Sequence, residues 1–115
     1  MQTPICDNTT AICKVTEALS VVSGKWKPTL LAHLRFSGTQ RFGELRRLIP
    51  GITQKMLTAQ LRELERDGLV TRTVYAEVPP RVEYSLSDYG HTLGPMLDSM
   101  YQWGEQHIAR KKAQV

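Results

Sequence analysis

Gln54, Lys55, Thr58 and Arg62 are the side chains whose types and spacing best suit a chemical task. Lys55, Thr58 and Arg62 stand at i, i+3 and i+7, so a helix would carry them on one side, with Gln54 beside them at its N-terminal end. Glutamine can pair with adenine, and lysine or arginine with guanine or phosphate. A helix with such groups near its start can read base edges in a DNA major groove. Thr53 has a hydroxyl suited to capping that helix, and the five residues form one candidate recognition set.

Positive charge gathers around this set. The 115-residue chain carries a formal charge of +4. Residues 25–81 hold 11 basic and 5 acidic side chains, a net +6, so the flanks are net −2. Such clustering suits an anionic polymer, although a solvated basic surface would have the same composition. Lys25, Lys27 and Arg41 fall at the predicted starts of two helices, where free N–H groups and the dipole favour phosphate. Arg46 and Arg47 add charge nearby. Arg81 lies in the loop between two β-type runs and Arg72 flanks it, the composition of a basic wing able to reach phosphates or a minor groove.

Other functions find little support. There is no glycine-rich phosphate loop and no nucleophile with evident partners, so the chain is not expected to be an enzyme or to need a cofactor. Cys6 and Cys13 are too few for a zinc site, and His33, His91 and His107 lie far from them in sequence. The first residues lack a basic start followed by an apolar run, and no stretch reaches a membrane-spanning length. A cytoplasmic location, no membrane partner and reduced thiols are therefore expected. His33, beside Leu34, reads as structural or as surface.

The elements that would position these residues form one domain of mostly α, α+β class. Ile12, Val15, Leu19 and Val22 give a helix over 10–22, and Leu30, Leu31 and Leu34 a second that starts near Lys25 and stops at Ser37-Gly38. Phe42, Leu45 and Ile49 mark a short third helix over 41–48, broken by Ile49-Pro50-Gly51. The fourth follows Thr53, buries Leu57, Leu61 and Leu64, and ends at Gly68, where Leu69 should return onto Leu64. Residues 69–75 and 82–86 read as strands, with Pro79 and Pro80 stiffening the loop between them. Ser87 should cap the last helix, along which Leu93, Leu97, Met100 and Trp103 share a face, and Pro95 calls for a kink or a fresh start. Residues 1–9 are expected to be a flexible N-terminus, 10–112 the single domain and 113–115 a tail.

The order of these features resembles the HxlR-type winged helix-turn-helix regulators, relatives of the MarR group. The resemblance lies in Gly24-Lys25-Trp26-Lys27, Arg41-Phe42-Gly43-Glu44-Leu45, Ile49-Pro50-Gly51-Ile52, Lys55-Met56-Leu57-Thr58, the run 61–70, the run 78–84 and Trp103-Gly104. It implies a transcriptional regulator, expected to be a repressor, that binds a double-stranded DNA operator as a homodimer. Its first and last helices would meet their mates through Ile12, Val15, Leu19, Leu97, Met100 and Trp103. Two recognition helices about one turn of DNA apart could then read an inverted repeat. The family's N-terminal cysteine falls on Cys13, with Lys14 where proline is usual. The resemblance makes Cys13 a candidate sensor of an electrophile or oxidant, and Cys6 a resolving or inter-subunit partner. Two alternatives remain at this stage. One is a regulator that binds an aromatic ligand without bond formation near Trp26, Tyr101 or Trp103; the other is a winged helix used only for protein contacts.

Overall fold

The computed structural model describes residues 9–114. Six helices and three strands follow in order: α1 (Ala11–Val22), α2 (Lys27–Ser37), β1 (Gln40–Arg41), α3 (Phe42–Leu48), α4 (Gln54–Arg66), β2 (Val70–Tyr75), β3 (Arg81–Leu86), α5 (Asp88–His91) and α6 (Gly94–Ala113). The mostly helical α+β class is as expected. Residues 1–8 and 115 lie outside the described set, including Cys6 and most of the expected N-terminal segment.

One leucine-rich core holds the elements. Leu30 and Leu31 of α2, Leu45 of α3, Leu57, Leu61 and Leu64 of α4, and Leu69 are all fully buried. Burying each side chain contributes about 1.5–3 kcal/mol. Ile49 and Ile52, on either side of Pro50-Gly51, are buried too, so the turn between α3 and α4 is pinned from below. The Thr53 Oγ1 accepts from the Met56 N–H at 3.1 Å and starts α4. At its other end Gly68 has φ 79°, a conformation that disfavours a Cβ. The Leu69 N–H donates to the Leu64 carbonyl and the Gly68 N–H to the Glu65 carbonyl, the paired bonds of a Schellman ending.

The sheet has the order β1-β3-β2, all antiparallel. Its register sets Val70 opposite Leu86, Arg72 opposite Tyr84 and Tyr75 opposite Arg81. The third strand, β1, was not expected. It is two residues long, too short for alternation to reveal. It lies at the start of the helix-turn-helix, with Gln40 opposite Tyr84 and Arg41 opposite Glu83, and so ties α3 to the wing.

Small boundary shifts follow from the backbone. Lys25 precedes α2, which starts at Lys27, and Arg41 is the cap of α3 rather than its first residue. The final helix divides at Pro95, as the fresh-start reading expected. Ser87 caps the short α5, and α6 begins with Pro95 in its first turn. No helix among the described residues is long and apolar enough to cross a membrane.

Candidate nucleic-acid interface

α4 turns Leu57, Leu61 and Leu64 inward and leaves Gln54, Lys55 and Arg62 exposed, with Thr58 half-buried. Its polar face is therefore open along its whole length. Gln54, Thr58 and Arg62 form one wall of a groove whose other wall is the wing, with Arg72, Val82 and Tyr84; Phe42 and Glu65 complete the lining. Lys55 flanks it with Ala59 on the outer side. Gln54, Thr58 and Arg62 thus face one space with Arg72, while Lys55 lies to its outer side. Neither Arg62 nor Arg72 makes an ion pair among the described residues, so both guanidiniums are available to a phosphate or a base edge. Thr53 is occupied as the α4 cap. Glu65, on the same groove, was missed; it follows Arg62 by three residues, a spacing visible in the sequence.

The other expected phosphate contacts divide. Lys25 is exposed, its ammonium 4.9 Å from the Trp26 ring centre. Arg41 is exposed at the α3 start, where its own N–H donates to the Glu44 carboxylate at 3.0 Å. Arg46 and Arg47 are exposed on α3. Lys27 differs from expectation. Its side chain is only 11% exposed, and Nζ lies 3.6 Å from Glu63 Oε1 on α4. It links α2 to the back of the recognition helix. A lysine in the first turn of a helix can fold inward when a carboxylate waits there, and Glu63 lay too far along the chain to signal this.

Arg81 also departs from expectation. Its guanidinium lies 3.2 Å from Glu77 and 3.5 Å from Glu83, and 4.1 Å from the centre of the Tyr75 ring. Its Nε is buried without a hydrogen-bond partner among the described residues. The side chain, 27% exposed, is enclosed by the wing rather than extended from it. Glu83 stands two residues on along β3, and alternation puts it on the same face; that signal was legible in the sequence.

Away from the groove, α1 and α6 expose apolar side chains. Ile12 is 79% exposed and Trp103 67%, and Val15, Leu19 and Met100 are also exposed. Leu97 is not part of this surface. It is 5% exposed and belongs to the chain's own core, because it projects from the inner side of α6. Each aromatic beside which a ligand was considered, Trp26, Tyr101 or Trp103, has a contact within the chain. Trp26 packs on the core, Tyr101 stands against Phe36, and Trp103 stacks on His107. Cys13 lies in the first turn of α1, half-buried, its N–H donating to Thr10 Oγ1. It is disulfide-bonded, in place of the expected reduced thiol. The candidate partner Cys6 lies outside the described residues. His33 is half-buried on α2.

Comparison with known proteins agrees with this geometry. The model of the HxlR-like helix-turn-helix family matches residues 21–112. An uncharacterized HTH-type transcriptional regulator of Bacillus subtilis, YdeP, is 55% identical over 98 residues, which cover 85% of this chain and 76% of that protein. The redox regulator HypR in its reduced form is 50% identical with a TM-score of 0.80, covering 87% of this chain and 98% of that one. HypR in its oxidized form is 54% identical with a TM-score of 0.76, covering 82% and 96%. With a helix-turn-helix, a wing beside it and this similarity along most of its length, the chain belongs to the HxlR-like helix-turn-helix family of DNA-binding transcriptional regulators.

Proposed function

We propose that this regulator is a homodimeric repressor that recognises an inverted-repeat operator through α4, with Gln54, Lys55, Thr58 and Arg62 at base edges. The observation that carries the reading is the open polar face of α4 and the guanidiniums of Arg62 and Arg72 on one groove, which make no ion pair among the described residues. Lys25, Arg41 and Arg72 supply phosphate contacts around it. A second copy covers the exposed apolar side chains of α1 and α6: Ile12, Val15, Leu19, Met100 and Trp103. Two lobes related by a two-fold axis then meet the two halves of a palindrome. Selection from a random duplex pool tests this. The expected winner is an inverted repeat bound by two chains, with affinity falling steeply as salt rises. No enriched sequence and a shallow salt dependence would refute it and favour a protein-contact module.

The regulatory signal in this reading is thiol oxidation. The disulfide at Cys13, and the reduced and oxidized forms in which the similar HypR is known, support it. Two thiols, with Cys6 the candidate second, lose two electrons and two protons to an oxidant such as diamide and form one S–S bond. Cys13 sits at the start of α1 beside Ile12 and Val15, so bond formation there bears on the proposed dimer surface and on the separation of the recognition helices. Cys13→Ser should make DNA binding indifferent to diamide. Full diamide-induced loss of binding in that variant would remove Cys13 from the mechanism.

A further inference from the structure

α6 is fixed to the DNA-binding lobe only along its first half. Leu97 is buried in the core and Leu93 and Met96 pack against it. Beyond Asp98 every described residue of the helix is exposed except the half-buried Gly104. Where the helix leaves the lobe, Arg35 of α2 grips Asp98 in a two-pronged contact. Nε donates to Oδ1 at 3.1 Å and Nη2 to Oδ2 at 2.6 Å. One residue along α2, the Phe36 ring lies 5.6 Å from that of Tyr101.

Gly94 makes room for this grip. A Cβ at position 94 would stand 2.7 Å from Arg35 Nη1 and 2.8 Å from Cζ. Both residues beside it on the chain differ in character: Leu93 packs on the core, and Pro95 lies in the first turn of the helix. Gly94 is buried and has no unusual backbone conformation, so the guanidinium above it is the group that must shift to admit a larger residue.

We infer that the Arg35–Asp98 fork, seated over Gly94, sets the angle at which α6 leaves the lobe, and thereby the half-site spacing that the dimer recognises. The inference rests on the proposed dimer through α1 and α6. Leverage gives the fork its effect. From Asp98 to Ala113 the helix runs about 22 Å at 1.5 Å per residue. A tilt of about 10° at its root moves the far end by roughly 4 Å, comparable to the 3.4 Å rise of one base pair. A planar guanidinium facing a carboxylate with two bonds resists such a tilt better than a single contact between point charges. Arg35 and Asp98 are positioning residues here and do not line the groove beside α4.

The full chain is first sedimented, then titrated with duplexes carrying the selected half-sites at the selected spacing and at one base pair more or less. A single half-site serves as control. Asp98→Asn breaks the fork. Gly94→Ala leaves both charges in place but displaces the end of the flexible Arg35 side chain, so it carries the test if Asp98→Asn misfolds. Both variants should stay dimeric, bind the half-site like wild type, and lose at least about fivefold of the preference for one spacing. An unchanged spacing preference in dimeric variants would overturn the inference alone. Equal loss on the half-site would also overturn it, by showing that the fork only supports the lobe. A monomeric wild type would overturn the dimer reading and the inference together.

Discussion

Replacing Arg81 by alanine separates two roles for the same residue. As a free wing arginine it would touch a phosphate, and its loss would remove one released counterion, lowering the slope of log affinity against log salt by about 0.9. Its position in the wing gives another outcome. The guanidinium is shared between Glu77 and Glu83 and rests on Tyr75. Partly exposed ion pairs contribute about 0.2–1 kcal/mol each and the ring contact about 0.5–1 kcal/mol. The buried Nε offsets part of this, since an unpaired donor costs about 1–3 kcal/mol. The expected net loss is about 1 kcal/mol or less, lowering Tm by up to about 4 °C. Fluorescence anisotropy of labelled duplex across several salt concentrations reads the slope, with Arg72→Ala as reference. Arg72→Ala should lose about 0.9 of slope and Arg81→Ala less than about half of that. Binding at low salt should still weaken for Arg81→Ala, because Glu77 and Glu83 are left uncompensated near the DNA. A full unit of slope lost with Arg81→Ala would show instead that the side chain leaves its carboxylates for phosphate.

Arg62→Ala should cost about 1–3 kcal/mol on the selected operator and much less on random duplex, because a base contact is lost rather than charge alone; equal losses in parallel titrations would deny it a reading role. Leu61→Ala should destabilise the chain by about 2–5 kcal/mol in urea unfolding, since Leu61 is buried at the centre of the core under α4. The Arg35 hydrogen bond, with charge attraction adding to it against a smaller desolvation, holds the Asp98 carboxyl below its ordinary value, and the same bond raises Arg35. A lowered carboxylate pKa contributes stability that is complete above the unfolded value, near 3.9, and is lost as pH falls through the folded value. Wild type should therefore melt above Asp98→Asn at pH 7, and the gap should close in strongly acidic buffer; a gap unchanged by acid would show that the carboxylate is not its source.

Much of this was legible because the signals are local. α4 declares itself by a capping threonine, a leucine stripe and a terminal glycine, and each does in the structure what its type suggests. Pro95 marked the division between α5 and α6 for the same reason. What was hidden depends on residues distant in sequence. Lys27 reads as a helix-start cation until folding brings Glu63 of α4 beneath it. Leu97 shares a sequence stripe with Met100 and Trp103, yet α6 runs out beyond the lobe after Asp98, which leaves the first in the core and the others exposed. β1 has no pattern of its own and exists because β3 offers an edge beside Gln40 and Arg41. Arg81 was the avoidable case, since Glu77 and Glu83 flank it at short range.

Contact between the polar face of α4 and base edges can be read directly by photocrosslinking. The selected operator can be synthesised with 5-iodouracil in place of single thymines, which puts the photoreactive atom at the major-groove position of the thymine methyl. Irradiation of the complex and peptide mapping then identify the residues in contact. Adducts are expected within residues 54–62, at equivalent positions in both half-sites. Adducts confined to α1 or α6, with none on α4, would rule out base reading by this helix.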